Sequence, residues 1–234
     1  MTPMPAGPLL KALERHRHEF ASLKAITSVE FTKRGRKRII DTVGIVVDDQ
    51  CRFRMEAYGP LGQSLLALVW NGQEYLLWRQ EEDKVSREGR AGLERLIGFA
   101  IEPSELCSIM AGYIPEVGES SSAILLCAKG GDCLLEVPGR DILRKIRVAV
   151  TMEGTDWEPR ILTYEFYRSG DLMFRTRFDH PEEISRYRLP MQFTIENPGG
   201  GISLHVTYSE AEVNTPVNEE VFSLTDVSGA TKTK

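Results

Sequence analysis

No stretch of this chain approaches the roughly 18 consecutive apolar residues that a membrane-crossing helix requires. Residues Met1 to Pro8 lack a charged n-region, an apolar h-region and a lipobox cysteine, so they are no signal peptide and are expected as a flexible tether or cut edge. Cysteine is scarce. Cys51, Cys107, Cys127 and Cys133 are too few and scattered for a disulfide-rich scaffold or a paired CxxC zinc site. Of the four histidines, His16 and His18 stand two apart and cannot share a metal from one helix face. With no carboxylate or thiol at ligand spacing, His16, His18, His180 and His205 are expected to be solvated, with neither metal nor cofactor bound. There is no GxSxG elbow and no phosphate-cradling glycine motif. Glu81-Glu82-Asp83 and Glu219-Glu220 lie in polar stretches, where adjacent carboxylates are solvated instead of converging in a pocket. Catalytic residues are therefore not expected. Positive charge is also short: 29 Lys and Arg against 34 Asp and Glu leave a net −5, which disfavours a nucleic-acid partner.

What the chain does have is apolar residues, 41% of the total, enough for a continuous core, arranged mostly with a period of two. After a modest amphipathic helix over 9–20, strands are expected over 23–31, 38–47 and 51–58. Cys51, Phe53, Met55 and Ala57 share one face of the third. Strands 64–70 and 74–78 join through Asn71-Gly72, the strongest hairpin signal in the chain. The alternation then stops. Leu93, Leu96 and Ile97, and then Leu106, Ile109 and Met110, recur at helical spacing, with Pro103 at a first turn and Gly112 as a stop. Strands resume over 122–127, 133–137, 142–152, 160–167, 172–178, 185–196 and 202–213. The fold class is mainly β: a curled or half-open antiparallel barrel of about 11–12 strands, with an N-terminal helix and a short helical lid at about 91–112. One domain is expected over 9–226, followed by a disordered tail at 227–234.

Two local features stay open. Cys127 and Cys133 flank the turn Lys129-Gly130-Gly131-Asp132 and face each other across a hairpin either as a disulfide or as two buried thiols. Cys107, on the apolar side of its helix, reads as a small core residue. Lys33-Arg34-Gly35-Arg36-Lys37-Arg38 packs five cations into six residues of an acidic chain. It is either a solubilising hairpin tip or a point of attraction for anionic headgroups or an acidic partner.

Tyr58-Gly59-Pro60-Leu61-Gly62-Gln63-Ser64-Leu65-Leu66, then Asn71-Gly72-Gln73-Glu74-Tyr75, then Leu96-Ile97-Gly98, Pro103 and Leu106 to Gly112 resemble, in that order, the LolA/LolB-like lipoprotein carrier and receptor superfamily. The resemblance is strongest to LolB-like outer-membrane receptors. Thr215 to Phe222 is similar to how such chains finish. The specific likeness covers about a quarter of the chain and rests on the order of the motifs. It implies an unclosed barrel whose concave face, capped by helices, receives lipoprotein acyl chains. It also implies an N-terminal lipidated cysteine in the full-length precursor, which 1–8 do not contain. The loop Pro60, Leu61, Gly62 would pass the cargo into the membrane, with Leu61 protruding from a turn that its neighbours rigidify.

The function expected from this is non-catalytic binding of acyl chains for lipoprotein localisation at the outer membrane. Candidate wall residues are Phe53, Met55, Leu66, Leu68, Trp70, Leu96, Ile97, Leu106, Ile109, Met110, Phe193 and Ile195, although alternation alone does not say which sheet face is concave. Expected partners are acylated lipoproteins or phospholipid, a periplasmic LolA-like donor and the inner leaflet of the outer membrane. The protein is expected to be a monomer on the periplasmic face. Two other readings remain: an envelope interaction module without lipid, favoured by an interior filled with the protein's own side chains, and an enzyme on the same scaffold.

Overall fold

In the computed structural model, which describes residues 1–88, 93–94, 97–98, 100–115, 122–153, 156–197 and 199–224, the alternating segments become one continuous antiparallel sheet. In chain order the elements are β1 (Thr2–Met4), α1 (Gly7–His18), β2 (Ser22–Lys33), β3 (Arg36–Asp48), β4 (Phe53–Tyr58), β5 (Ser64–Trp70), β6 (Tyr75–Arg79) and β7 (Lys84–Glu88). They continue with α2 (Pro103–Ala111), β8 (Ile124–Cys127), β9 (Asp132–Pro138), β10 (Ile142–Glu153), β11 (Asp156–Arg168), β12 (Asp171–Ile184), β13 (Tyr187–Asn197), β14 (Ile202–Val213) and a 3₁₀ turn (Glu219–Phe222). The fourteen strands lie in the order β1-β8-β9-β10-β11-β12-β13-β14-β2-β3-β4-β5-β6-β7. Among the described residues β1 and β7 do not pair with each other, so the barrel is unclosed.

Curvature comes from register shifts in the long strands, at Arg147/Val148 of β10, Thr27/Val29 of β2 and Tyr208/Glu210 of β14, because an extra residue on one strand bends and twists its pair. Tight turns keep the long hairpins in register. Arg34 and Gly35, Ser169 and Gly170, and Ser185 and Arg186 all take positive φ at two-residue turns, whose twist matches that of the strands they join. The barrel has two distinct ends. At the upper rim stand the β2–β3 tip, the β4–β5 loop and the β13–β14 turn; at the lower end lie the β3–β4 turn, the β12–β13 turn and α1.

Fourteen strands are found where 11–12 were expected. The additional two are β1 and β7, the short ends of the sheet. Thr2–Met4, expected as tether, pairs with Leu125–Cys127 of β8, and Lys84–Glu88 pairs along β6. Neither carries enough alternation to stand out, since an edge strand is held by its one neighbour's backbone more than by its own apolar face. The helix over 103–111 has its expected bounds, with Pro103 in the first turn and Gly112 left-handed at φ +76. Of the first half of the expected lid, Leu93, Glu94 and Ile97 are helical; 91–92, 95–96 and 99 lie outside the described residues, as does the expected tail.

The two faces of the sheet are covered differently. The concave face holds the main core, which includes Phe53, Leu68, Phe193, Ile195, Val206 and Tyr208 together with α1 and α2. On the convex face of β4–β6, the chain's final described segment lays Phe222 and Leu224 over Ala67, Val69 and Trp78. Arg54 and Glu56 are buried beneath this cover. The Arg54 guanidinium donates to Glu56 at 2.8 Å and to the carbonyls of Val221 and Ser223, both at 3.2 Å, so the ion pair also fastens the C-terminal strap.

Candidate functional site: the concave face and its helical plug

Helix α2 runs through the barrel instead of resting on its rim. Every residue from Glu105 to Ala111 is buried, the mark of a helix surrounded by protein on all sides. Its apolar side chains Leu106, Ile109 and Met110 meet the inward faces of the strands in one cluster. Helix ends buried in this way leave carbonyls that need donors. Here they are tyrosines: the Tyr208 hydroxyl donates to the Met110 carbonyl and the Tyr187 hydroxyl to that of Ala111, each at 2.7 Å. Gly112 then turns against Pro190, where a Cβ would lie 2.2 Å from the proline Cδ, so only glycine fits.

Two further attachments fix the plug, and neither was legible in the sequence. Cys107 pairs with Cys51 at the β3–β4 turn in a disulfide with a Cα–Cα distance of 5.5 Å, and the Tyr113 hydroxyl stands 3.3 Å from both sulfurs. Burial pushes the Tyr113 phenol up to about 12. Two residues before Cys107, Glu105 is 2% exposed and inside an otherwise apolar wall. It accepts from Arg144 at 2.9 Å and from the Tyr164 hydroxyl at 2.5 Å, and Arg144 also donates to Tyr164 at 3.1 Å. Burial first, and then the Glu105 charge, push Tyr164 well above the ordinary tyrosine range. Burial works against the charge of Arg144, but Tyr164 and Glu105 outweigh it and hold the guanidinium above its ordinary value. A carboxylate within the apolar run Leu106, Cys107, Ile109, Met110 was the one signal available; its partners lie 39 and 59 residues away.

The candidate wall residues are brought together. Phe53, Leu68, Ile97, Leu106, Ile109, Met110, Phe193 and Ile195 are buried members of the main cluster, and Met55, Leu66 and Trp70 pack against it partly buried. Leu96 lies outside the described residues. The face carrying Phe53 and Met55 is thus the concave one. Between α2 and the sheet the described side chains are packed, so the wall is lined but filled. The Thr176 hydroxyl of β12 is buried on this face without a hydrogen-bond partner among the described residues.

The loop expected to protrude does so. Leu61 is 92% exposed, held by the Gly62 amide donating to the Gly59 carbonyl and by the Gln63 side chain accepting from the Leu61 amide. His16 departs from expectation. It is not solvated but stacks on Tyr187, with ring centroids 4.6 Å apart, because the α1 face carrying Leu9 and Leu13 closes the lower end of the barrel. Burial above all lowers its pKa from 6.5 to about 4. His205 is also half-buried, within hydrogen-bond distance of Thr194 and Thr207, whereas His180 and His18 are exposed. Cys127 and Cys133 are a disulfide across the β8–β9 turn. A cleft of about 560 Å³ beside α1 is lined by Arg15, Glu19, Glu158, Glu183, Arg186 and Arg188 and suits no acyl chain.

No family model and no curated protein matches the chain by sequence. Solved structures do match its fold. A LolA superfamily protein from Nitrosomonas europaea superposes with a TM-score of 0.60 at 13% identity, over 94% of this chain and 98% of that one. A DUF1329 family protein from Desulfovibrio piger gives 0.62 at 13%, over 95% and 99%. An outer-membrane lipoprotein-sorting protein domain from Vibrio parahaemolyticus gives 0.53 at 14%, over 94% and 97%. The fold is therefore the LolA-like unclosed barrel.

Proposed function

We propose that the protein is a non-catalytic carrier or receptor for acyl chains, which take the place of α2 against the concave wall and deliver lipoproteins to the outer membrane. The observation that carries this is the plug itself: a helix buried on every side, lying on the apolar face and secured by one disulfide and a few buried hydrogen bonds. Withdrawing Leu106, Ile109 and Met110 costs about 1.5–3 kcal/mol of burial each. A chain of about fifteen methylenes at about 0.8 kcal/mol apiece returns on the order of 12 kcal/mol, comparable to that burial together with the Glu105 network and the tyrosine bonds given up on opening, so the exchange needs no chemistry. The disulfide to Cys51 keeps the displaced helix tethered. Leu61, exposed on the upper rim, is the residue that meets the bilayer during transfer, and a LolA-like periplasmic donor is the source of cargo. The fold shared with a lipoprotein-sorting domain supports an envelope location on the periplasmic face.

Lipid extraction of the purified protein followed by mass spectrometry tests this. Co-purifying diacyl or triacyl species are expected, with Leu61→Glu retaining the cargo but failing to pass it to vesicles. Absence of any acylated species from protein prepared from the envelope would overturn the proposal. The second reading, an interaction module without lipid, draws support from the same packed interior, and that result would favour it.

A further inference from the structure

The β2–β3 hairpin is longer than its surroundings need. Pairing between β3 and β4 begins at Val43 with Ala57, while pairing between β3 and β2 continues to Arg36 with Lys33. The half-strand from Arg36 to Thr42 therefore has β2 on one side and, among the described residues, no strand on the other. It overreaches β4 by about seven residues, roughly 23 Å at about 3.3 Å per residue. All seven of its residues are exposed. An unpaired strand of this length is a liability unless something covers it or its charges repel other strands. Here the tip carries Lys33, Arg34, Arg36, Lys37 and Arg38, and among the described residues only Lys37 is given a carboxylate partner, Glu30 at 2.6 Å. Directly below the tip, Ile39 and Ile40 are 56% and 40% exposed, and the β4–β5 loop with Leu61 rises at the same end of the barrel. Cations alone would suit any acidic partner. Cations above bare isoleucines, beside a bare leucine, fit an interface that offers negative charge at its surface and hydrocarbon beneath.

We infer that this hairpin is a docking finger for an anionic phospholipid bilayer. It holds the upper rim against the membrane while the acidic remainder of the chain is turned away. The inference deepens the proposed function by supplying the orientation in which Leu61 reaches the bilayer, and it rests on that reading for its purpose but not for its physics. Asp41, the one acid in the half-strand, lies at the end away from the tip.

Flotation of the full chain with phosphatidylcholine vesicles, with and without phosphatidylglycerol, tests the inference. Binding is expected only where phosphatidylglycerol is present, and it should fall as salt is raised. The variant Arg34→Gln/Arg36→Gln/Lys37→Gln/Arg38→Gln should lose about fivefold in partition coefficient per charge that sits at the surface. A control, Lys11→Gln/Lys129→Gln/Arg160→Gln/Arg186→Gln, removes the same charge from exposed sites away from the upper rim and should bind like the parent. Circular dichroism confirms that both variants fold, and acyl-chain content measured on the same preparations reports on the proposed function separately. Equal binding to the two kinds of vesicle, or equal loss in both variants, would overturn the inference even if the protein carries lipid.

Discussion

Removing the tether between plug and wall should cost about twice what removing the other disulfide costs. Cys51 and Cys107 close a loop of 56 residues, whereas Cys127 and Cys133 close one of 6. In the chain-entropy account the unfolded state gains about 2.1 + 1.5R ln n cal/mol/K when such a link is cut, which gives about 4 kcal/mol for the long loop and about 2 kcal/mol for the short one. Cys107, Cys127 and Cys133 are buried and Cys51 is partly buried, so Cys51→Ala/Cys107→Ala loses no more packing than Cys127→Ala/Cys133→Ala, and a larger cost for the first reports the loop term. For a chain of this size each kcal/mol moves the midpoint of thermal unfolding by about 2–4 °C, so the first variant should melt about 8–16 °C below the parent and the second about half as far below. Scanning calorimetry reads both. The first variant should also take up a fluorescent fatty-acid probe faster, because α2 is then held only by Glu105 and the tyrosines. A first variant that melts no lower than the second, with unchanged probe uptake, would refute the idea that this disulfide secures the plug.

Two more outcomes are expected. Glu105→Leu leaves Arg144 without its carboxylate and, with Arg144 a fifth exposed, should cost about 3 kcal/mol in urea unfolding; joining it to Arg144→Leu should recover most of that, since an apolar pair packs where half an ion pair does not. A double variant less stable than the single one would contradict this. The His16 imidazole has its folded pKa depressed to about 4 from 6.5, so it is neutral in both states above 6.5. As pH falls through that window the unfolded chain takes up a proton that the fold refuses, and about 3 kcal/mol is lost, with no further loss below about 4. The hydrogen bond to the Gly112 backbone moderates this, and the nearby Arg188 charge adds to it. His16→Phe keeps the stack on Tyr187 and should flatten the difference in stability between pH 7 and 4; an unchanged slope would refute it.

The sequence by itself determined the local pieces, because their causes are local. Alternation placed Phe53 and Met55 on one face of their strand and Phe193 and Ile195 on one face of theirs, and Pro103 and Gly112 bounded α2 through a missing amide and a tolerated positive φ. Gly59, Pro60 and Gly62 announced the exposed turn of Leu61. Tertiary structure alone decided what depends on distant partners. Nothing in the spacing said that Cys51 would choose Cys107, that Arg144 and Tyr164 would meet Glu105, or that Arg54 and Glu56 would be roofed by the C-terminal segment. Nor could a period of two reveal that β3 outruns β4, since an overhang is a property of two strands in register and not of either one. The helical spacing of Leu106, Ile109 and Met110 showed that α2 has an apolar face. Only the curvature of the whole sheet, set by register shifts in β2, β10 and β14, put that helix inside the barrel and made it a plug.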